Sequence, residues 1–410
     1  MTSKTTKNTT PSSLNEETTK LLDSWLAADG PVALRLRQKL LPVEADESGR
    51  GVIFPPTYAD IGYNIDTLAD GTRVAMIDTV GSQANRLEPI FKSTGKTADG
   101  SEVNELASLV PQVEIILHGA GGKKGKKKKG AEAGEADLAD HVEKRSLLDL
   151  AHRSADAVVL ASPTLAPEMA KAFEALRKKG NAAPLAVLAP TSLVFGVWDS
   201  RGGSGEKRPR LVRSIIRAWD VDVLHSAAQF NSVWKALSEE QKAELEKEAK
   251  AKKIKLSVKG FADAPARVLG GVLAKGSVER DVTINLVALR GIRGKDADET
   301  TEVQNYLLGL TLLAATADLE LFLREGCLLR YANDDAWTQV PRRGEPTGVS
   351  LPTRAQLVAY ATRAARPFKA KWPDELKKDG KPVLEHEFNL AEAKKLLAKK
   401  GDDAPAEAQG

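Results

Sequence analysis

Residues 211–223 form the longest strand-like run of the chain, and they sort by parity. Val212, Ser214, Ile216 and Ala218 fall on one side, and Arg213, Ile215, Arg217 and Trp219 on the other. Side chains of a strand alternate between the two faces of a sheet. The segment therefore predicts a sheet with one packed face and one open face. Two guanidiniums and an indole on an open face suit phosphate pairing and base stacking. An ordinary half-exposed strand with surface arginines fits the same pattern. Lys207, Arg208 and Arg210 stand just upstream, so positive charge concentrates here on either reading.

The rest of the chain mixes strand and helix signals without strict βαβ regularity, which predicts an α+β fold. Leu21, Leu22, Trp25 and Leu26 share a helical face. Strands are expected at residues 32–36, 51–54, 72–80, 112–118, 157–160 and 280–292, with one or two more over 185–198, broken at Pro190. Helices are expected over 138–153, 167–179, 230–252 and 302–325. The uncharged part of the last, residues 303–317, falls short of the roughly 20 apolar residues of a membrane span, so it reads as a core helix and no membrane partner is expected. At 410 residues the chain holds two to three domains' worth of sequence, or one large domain with insertions. The expected organisation is a disordered tail over 1–16, a body over 17–340 interrupted by a flexible Lys/Gly loop at 119–136, and a helical extension over 341–410 with a disordered end. The only cysteine, Cys327, excludes an internal disulfide and a four-cysteine zinc site. With a polar N-terminal run lacking the apolar core of a secretory signal, this predicts a cytoplasmic protein.

Charge is local. Lys and Arg number 60 against 56 Asp and Glu, and six of the lysines (Lys123, Lys124, Lys126, Lys127, Lys128 and Lys129) lie in one block. Without that block the chain is nearly neutral, so a polyanion site has to come from local arrangement. Glycines around the block leave six ammonium groups free to follow a phosphate backbone; a solubilising loop fits equally. A second anion candidate is Gly81-Ser82-Gln83-Ala84-Asn85-Arg86, after an apolar strand. A helix start there offers free N–H groups and a favourable dipole, with Ser82, Gln83, Asn85 and Arg86 as further donors. Plain capping by Ser82 accounts for the same residues.

Catalytic signals are weak. Gly95-Lys96-Thr97 has the end of a phosphate-binding loop, but Ile90 occupies the position of its first glycine. Asp220 and Asp222 share a strand face and lack an obvious third metal ligand. The histidines, His118, His141, His152, His225 and His386, make no pair at metal spacing. No cofactor or metal is expected.

Five segments in order carry a resemblance: residues 81–88 after the strand at 72–80, 210–220, 230–234, 276–281 and 323–330. They span roughly residues 30–335. Together they resemble the backbone subunit of type I-G (formerly I-U) CRISPR effector complexes, a member of the RAMP superfamily of RNA-binding proteins. The resemblance implies a modified ferredoxin-like, RRM-like palm with inserted finger and thumb segments. It implies copies stacked head to tail along one guide RNA (crRNA) within Cascade, beside its other subunits. Guide bases would pair with target DNA, and a separate helicase-nuclease would cut it. The chain itself would not be an enzyme. The RNA-binding residues expected on this basis are Ser82, Gln83, Asn85, Arg86, Lys207, Arg208, Arg210, Arg213, Arg217 and Trp219. Two other classes stay open: a metal-dependent ribonuclease of the type III kind, with Asp78, Asp220 or Asp222 as the aspartate, and a phosphate enzyme using the Gly95-Lys96-Thr97 loop.

Overall fold

Strand β1 (Ala33–Pro42) turns Leu34, Leu36, Gln38 and Leu40 inward and leaves Arg37 and Lys39 in solvent. The same parity governs β3 (Val212–Trp219) and β4 (Val278–Asn285), where Val212, Ser214, Ile216, Ala218, Val278, Arg280, Val282 and Ile284 are buried. With β2 (Arg73–Asp78) these strands form the centre of an antiparallel sheet. In the computed structural model its order is Phe322–Arg324, Cys327–Tyr331, β1, β4, β3, β2, Ile65–Thr67. Trp337–Val340 pairs with the first half of β1, beyond the end of Cys327–Tyr331. The structure describes residues 14–97, 103–118, 142–199, 205–226, 232–259, 261, 268–332, 336–372 and 383–398. The lysine block, most of the expected N-terminal tail and the C-terminal end lie outside these residues.

Helices fill the inner side of the sheet. Helix α1 (Val80–Leu87) leans on β3, and α2 (Ala297–Ala315) crosses β3 and β4. Residues Tyr306 to Ala315 of α2 are all buried, as expected of a helix that is apolar all round. A third helix, α3 (Arg354–Ala370), starts at a capping box of Thr353 and Gln356 and packs along α2. Tyr306 stacks on Phe368 with centroids 4.6 Å apart, and its hydroxyl donates to the Leu109 carbonyl at 2.7 Å. A smaller apolar cluster, around Leu40, Ile77, Ile216, Cys327 and Leu329, joins the main sheet to a three-stranded one of Val221–Ser226, Val268–Ala274 and Gly51–Ile53. Burial pushes the Cys327 thiol up to about 11. The fold is α+β. Among the described residues no helix is long and apolar enough to cross a membrane.

Several local expectations need correction. Over 138–153 the described part is a strand, Val142–Ser146, paired with Gln112–His118 and followed by two short 3-10 turns. Residues 157–160 form one helical turn capped by Asp156. The apolar run over 185–198 is mostly two short helices, Ala183–Leu188 and Pro190–Val194, with a strand only at Val197–Trp198. Periodicity cannot separate strand from helix in a run apolar at nearly every position, and a proline suits the first helical residue as well as it breaks a strand. The strand expected over 280–292 ends at Asn285, whose side chain caps the helix Leu286–Arg290. The helix expected over 302–325 ends at Ala315.

The α2–α3 contact generates a prediction. A Cβ on Gly309 would stand 3.0 Å from both the Cα and the Cβ of Ala361. Gly309→Val is expected to cost about 1–3 kcal/mol of stability through overpacking, read as a lower urea midpoint with an unchanged slope. An unchanged midpoint would mean that this crossing is not tight.

Candidate nucleic-acid interface

The outward residues of the central strands meet in three rows. Arg35, Thr283 and Arg213 stand opposite one another, then Arg37, Asp281 and Ile215, then Lys39, Glu279, Arg217 and Met76. The face is not open throughout, because Ile215, between the two arginines of β3, is only 3% exposed. The two carboxylates of the middle strand are engaged from the β1 side. Arg35 Nη2 lies 3.3 Å from Asp281 Oδ1, and Arg37 Nε lies 3.5 Å from Asp281 and 3.6 Å from Glu279. On the other side, Arg213 is exposed and Arg217 half-buried, and neither guanidinium makes an ion pair or hydrogen bond among the described residues. Four residues of strand set them about 13 Å apart. Trp219 is half-buried, its N–H donates to the Ser277 carbonyl at 2.8 Å, and its indole N–H has no partner among the described residues.

The Gly81 segment is built differently from the expectation. The cap is Thr79, whose hydroxyl accepts the Ser82 N–H at 3.2 Å and whose carbonyl accepts the Gln83 N–H at 2.8 Å. Gly81 and Ser82 therefore lie inside the first turn. The side chains converge on Asp78, which is 1% exposed. Its carboxylate accepts from Ser82 Oγ at 2.8 Å, Gln83 Nε2 at 2.6 Å, Arg86 Nε at 3.1 Å and Arg324 Nη2 at 3.3 Å. Arg86 also donates to the Leu323 carbonyl at 2.7 Å. From Gln83 the hydrogen bonds continue beneath the sheet. Ser214 Oγ donates to Gln83 Oε1 at 2.7 Å, Arg280 Nε donates to Ser214 Oγ at 3.0 Å, and Arg280 Nη1 donates to Gln38 Oε1 at 3.2 Å. Of the predicted site residues, Gln83 is thus turned inward and Ser82 and Arg86 are held by Asp78. Asn85 faces solvent.

Asn85 leads to a residue that the sequence reading missed. Its Oδ1 accepts from Arg153 Nη2 at 3.5 Å. Arg153 is 5% exposed, has a left-handed φ of 53°, and packs its guanidinium 5.5 Å from the centre of the Phe195 ring. Its Nε lies 2.6 Å from Glu88 Oε2, in a pair almost wholly buried. Burial pushes the Glu88 carboxyl up to about 7 against the pull of Arg153 and of a hydrogen bond from Thr191. Arg210 is exposed, yet partial burial of its guanidinium, with the charges of Arg153 and Arg213, holds it below the ordinary range. Three arginines are thus neighbours, with Glu88 as the carboxylate paired to one of them. Arg208 Nε pairs with Glu206 at 2.8 Å, and Lys207 Nζ lies 5.2 Å from the centre of the Trp198 ring. Nothing in the local pattern of residues 138–153 marks Arg153. Arg280 did leave a signal, since it shares parity with Val282 and Ile284 on the apolar side of its strand.

The candidate aspartates of a ribonuclease are engaged elsewhere. Asp78 is enclosed by its four donors. Asp220, at a left-handed φ of 49°, and Asp222 both face Lys275, at 3.4 and 3.2 Å. Among the described residues no group of three or more His, Cys, Asp or Glu is placed to hold a metal ion.

Residues 34–223 match the family model described as CRISPR-associated protein GSU0053. The match takes in β1, β2, α1 and β3 and stops before β4. It supports a CRISPR-associated protein. No curated protein matches the chain.

Glu88 sets a pH test. A carboxyl whose folded pKa lies above its ordinary value favours folding below that ordinary value, and this contribution is lost as pH rises through the folded value. Stability is expected to fall between pH 4.5 and about 7 on account of this group. Glu88→Gln is expected to flatten that fall, read as urea midpoints at intervals from pH 4.5 to 7.5. A slope identical to that of the unaltered chain would refute the assignment.

Proposed function

We propose that the chain is a non-catalytic, crRNA-binding backbone subunit of a type I-G CRISPR effector complex, which polymerises along the guide and supports target DNA recognition. The observation that carries this reading is the uneven compensation of the outer sheet face. Glu279 and Asp281 are engaged by arginines of β1, which leaves Arg213 and Arg217 of β3 without partners among the described residues. Such a pair suits a phosphate backbone and ignores base identity, as a subunit that accepts any guide requires. Topology supports the reading as well. Taking β1, β3, β4 and Cys327–Tyr331 as four consecutive strands, their spatial order is 4-1-3-2 and all neighbours are antiparallel. Helices follow the first strand and α2 follows the third. This order supports reading the sheet as a ferredoxin-like, RRM-like palm, with β2 as an added strand beside β3 and the segment between β3 and β4 as one of its insertions.

In this reading Arg213, Arg217, Arg210 and Asn85 face the guide, Lys207 and Arg208 extend the basic strip, and Trp219 borders it. Ser82, Gln83 and Arg86 act through Asp78 by fixing α1. The partners are crRNA, further copies of the chain, other Cascade subunits and, through the assembly, a helicase-nuclease. The lysine block at 123–129 is assigned to target DNA.

The test is RNA binding by the double variant Arg213→Ala/Arg217→Ala. Affinity for single-stranded RNA is expected to fall, and the log–log salt dependence to flatten by about 1.4, from about 0.7 per single-strand phosphate, with an unchanged circular dichroism spectrum. Equal affinity and equal salt slope would overturn the reading. The unaltered chain is also expected to co-purify with a defined small RNA as a large assembly.

A further inference from the structure

Trp198 is the exposed tryptophan of this chain. Of the six, Trp25, Trp337 and Trp372 are buried and Trp219 and Trp234 are half-buried, whereas Trp198 is 39% exposed. An indole has a large apolar surface, and leaving it in water forgoes the burial that its neighbour Val197, at 6% exposure, achieves.

The ring is presented on an anchored strand. Val197 packs in the main core, and Val197–Trp198 pairs with Lys207–Arg208. Asp199 is 2% exposed. Its N–H donates to the Glu206 carbonyl at 2.9 Å, and its carbonyl accepts the Gly205 N–H at 3.1 Å. Gly196 has a φ of +81°, and a Cβ there would stand 2.9 Å from Arg210 Cγ and 3.1 Å from the Arg208 carbonyl. The Arg210 stem is thereby seated against the residue two positions before Trp198, about 7 Å along an extended chain.

The surroundings are cationic. Lys207 Nζ lies 5.2 Å from the ring centre. Arg210 has Arg153 and Arg213 as neighbours and no ion pair among the described residues. Arg153 and Arg208 are taken up by Glu88 and Glu206, so an exposed aromatic plane near the unpaired Arg210 guanidinium matches a ligand that has both an aromatic plane and a negative charge. A protein partner anchored on this indole would have to bring carboxylates as well.

We propose that Trp198 and Arg210 form a subsite for one unpaired nucleotide, with its base stacked on the indole and its phosphate on the Arg210 guanidinium. The subsite rests on the RNA-binding reading above and adds a base contact that is independent of sequence, since every base has a π-face.

The experiment measures binding of full-length protein to a fluorescent single-stranded oligouridylate and to the same oligomer with abasic sugars, using Trp198→Ala, Trp198→Phe and Arg213→Ala/Arg217→Ala. Trp198→Ala is expected to lose roughly 10-fold in affinity for the intact oligomer and little for the abasic one, with an unchanged salt slope. Trp198→Phe is expected to keep most of the affinity. Equal affinity of Trp198→Ala and the unaltered chain for the intact oligomer overturns the subsite. An equal loss on intact and abasic RNA overturns it too, because the loss then comes from the hairpin and not from stacking. Unchanged RNA binding with lost self-association would make Trp198 a protein contact and overturn it. If the arginine double variant weakens binding while Trp198→Ala does not, only the subsite fails. If the unaltered chain binds neither oligomer, the RNA-binding reading fails with it.

Discussion

A carboxylate at 1% exposure, Asp78, has lost nearly all its water, and the surrounding structure is organised to replace it. Burying an ion costs several kcal/mol unless charge and hydrogen bonds compensate it. Here two guanidiniums, an amide and a hydroxyl do so, from α1 and from the strand Phe322–Arg324. Asp78 reaches this position through an irregularity in pairing. Opposite it the register shifts between Ile216 and Arg217, so that Ile77 and Asp78, consecutive residues, are both buried. A bulge of this kind re-aims a side chain at the end of a strand. From Asp78 the hydrogen bonds pass to Gln83, Ser214, Arg280 and Gln38, and so touch all four central strands. The inner face is therefore tied together by directional bonds as well as apolar packing, and these bonds fix which residues of β3 point outward.

The outer face acquires its charge by imbalance and not by abundance. The chain carries 60 basic and 56 acidic residues. On β4, Glu279 and Asp281 are drawn toward Arg35 and Arg37, and the field beyond β3 comes from Arg213, Arg217 and the neighbouring Arg210. A few such contacts bind a polyanion weakly. In the proposed assembly they repeat along one strand, so that modest, salt-sensitive contacts add in the manner of any multivalent ligand.

The outline of this architecture was legible in the sequence, while its irregular joints were not. Parity alone placed Arg213, Arg217 and Trp219 opposite Val212, Ser214, Ile216 and Ala218, because a half-buried antiparallel strand writes its environment into alternate positions. The strand Gln112–His118 and the helix Leu165–Lys179, closed by Gly180 at a φ of 64°, were equally plain. The run over 185–198 was misread because it is apolar at almost every position outside Thr191 and Ser192, which are buried as well, and this erases the period that tells helix from strand. The helix start at Gly81 was placed three residues late because Thr79 and Ser82 are both good caps, and the side chain of Ser82 is instead bonded to Asp78. Asp78 read as an isolated acid ahead of a turn. Its partners, Arg86 and Arg324, are separated by most of the chain, and no local window contains both.

The C-terminal part of the chain, outside the resemblance, is tied to the two strands that flank residues 119–141. Residues 119–141 leave from Gln112–His118 and return at Val142–Ser146, two antiparallel neighbours. The third strand of that sheet is Val383–Glu387, which pairs in parallel with Gln112–His118. Lys144 bridges Glu385 and, at 3.7 Å, Glu114, so each strand of the three contributes a charge to the joint. Parallel pairing of segments so far apart in sequence needs a long connection, and here α3, seated on α2, supplies part of it. The place of the two strands that flank residues 119–141 is consequently linked to the core packing of Tyr306 against Phe368 and to a strand that follows it. The two strands that flank residues 119–141 are in this way given a fixed place on the body of the protein.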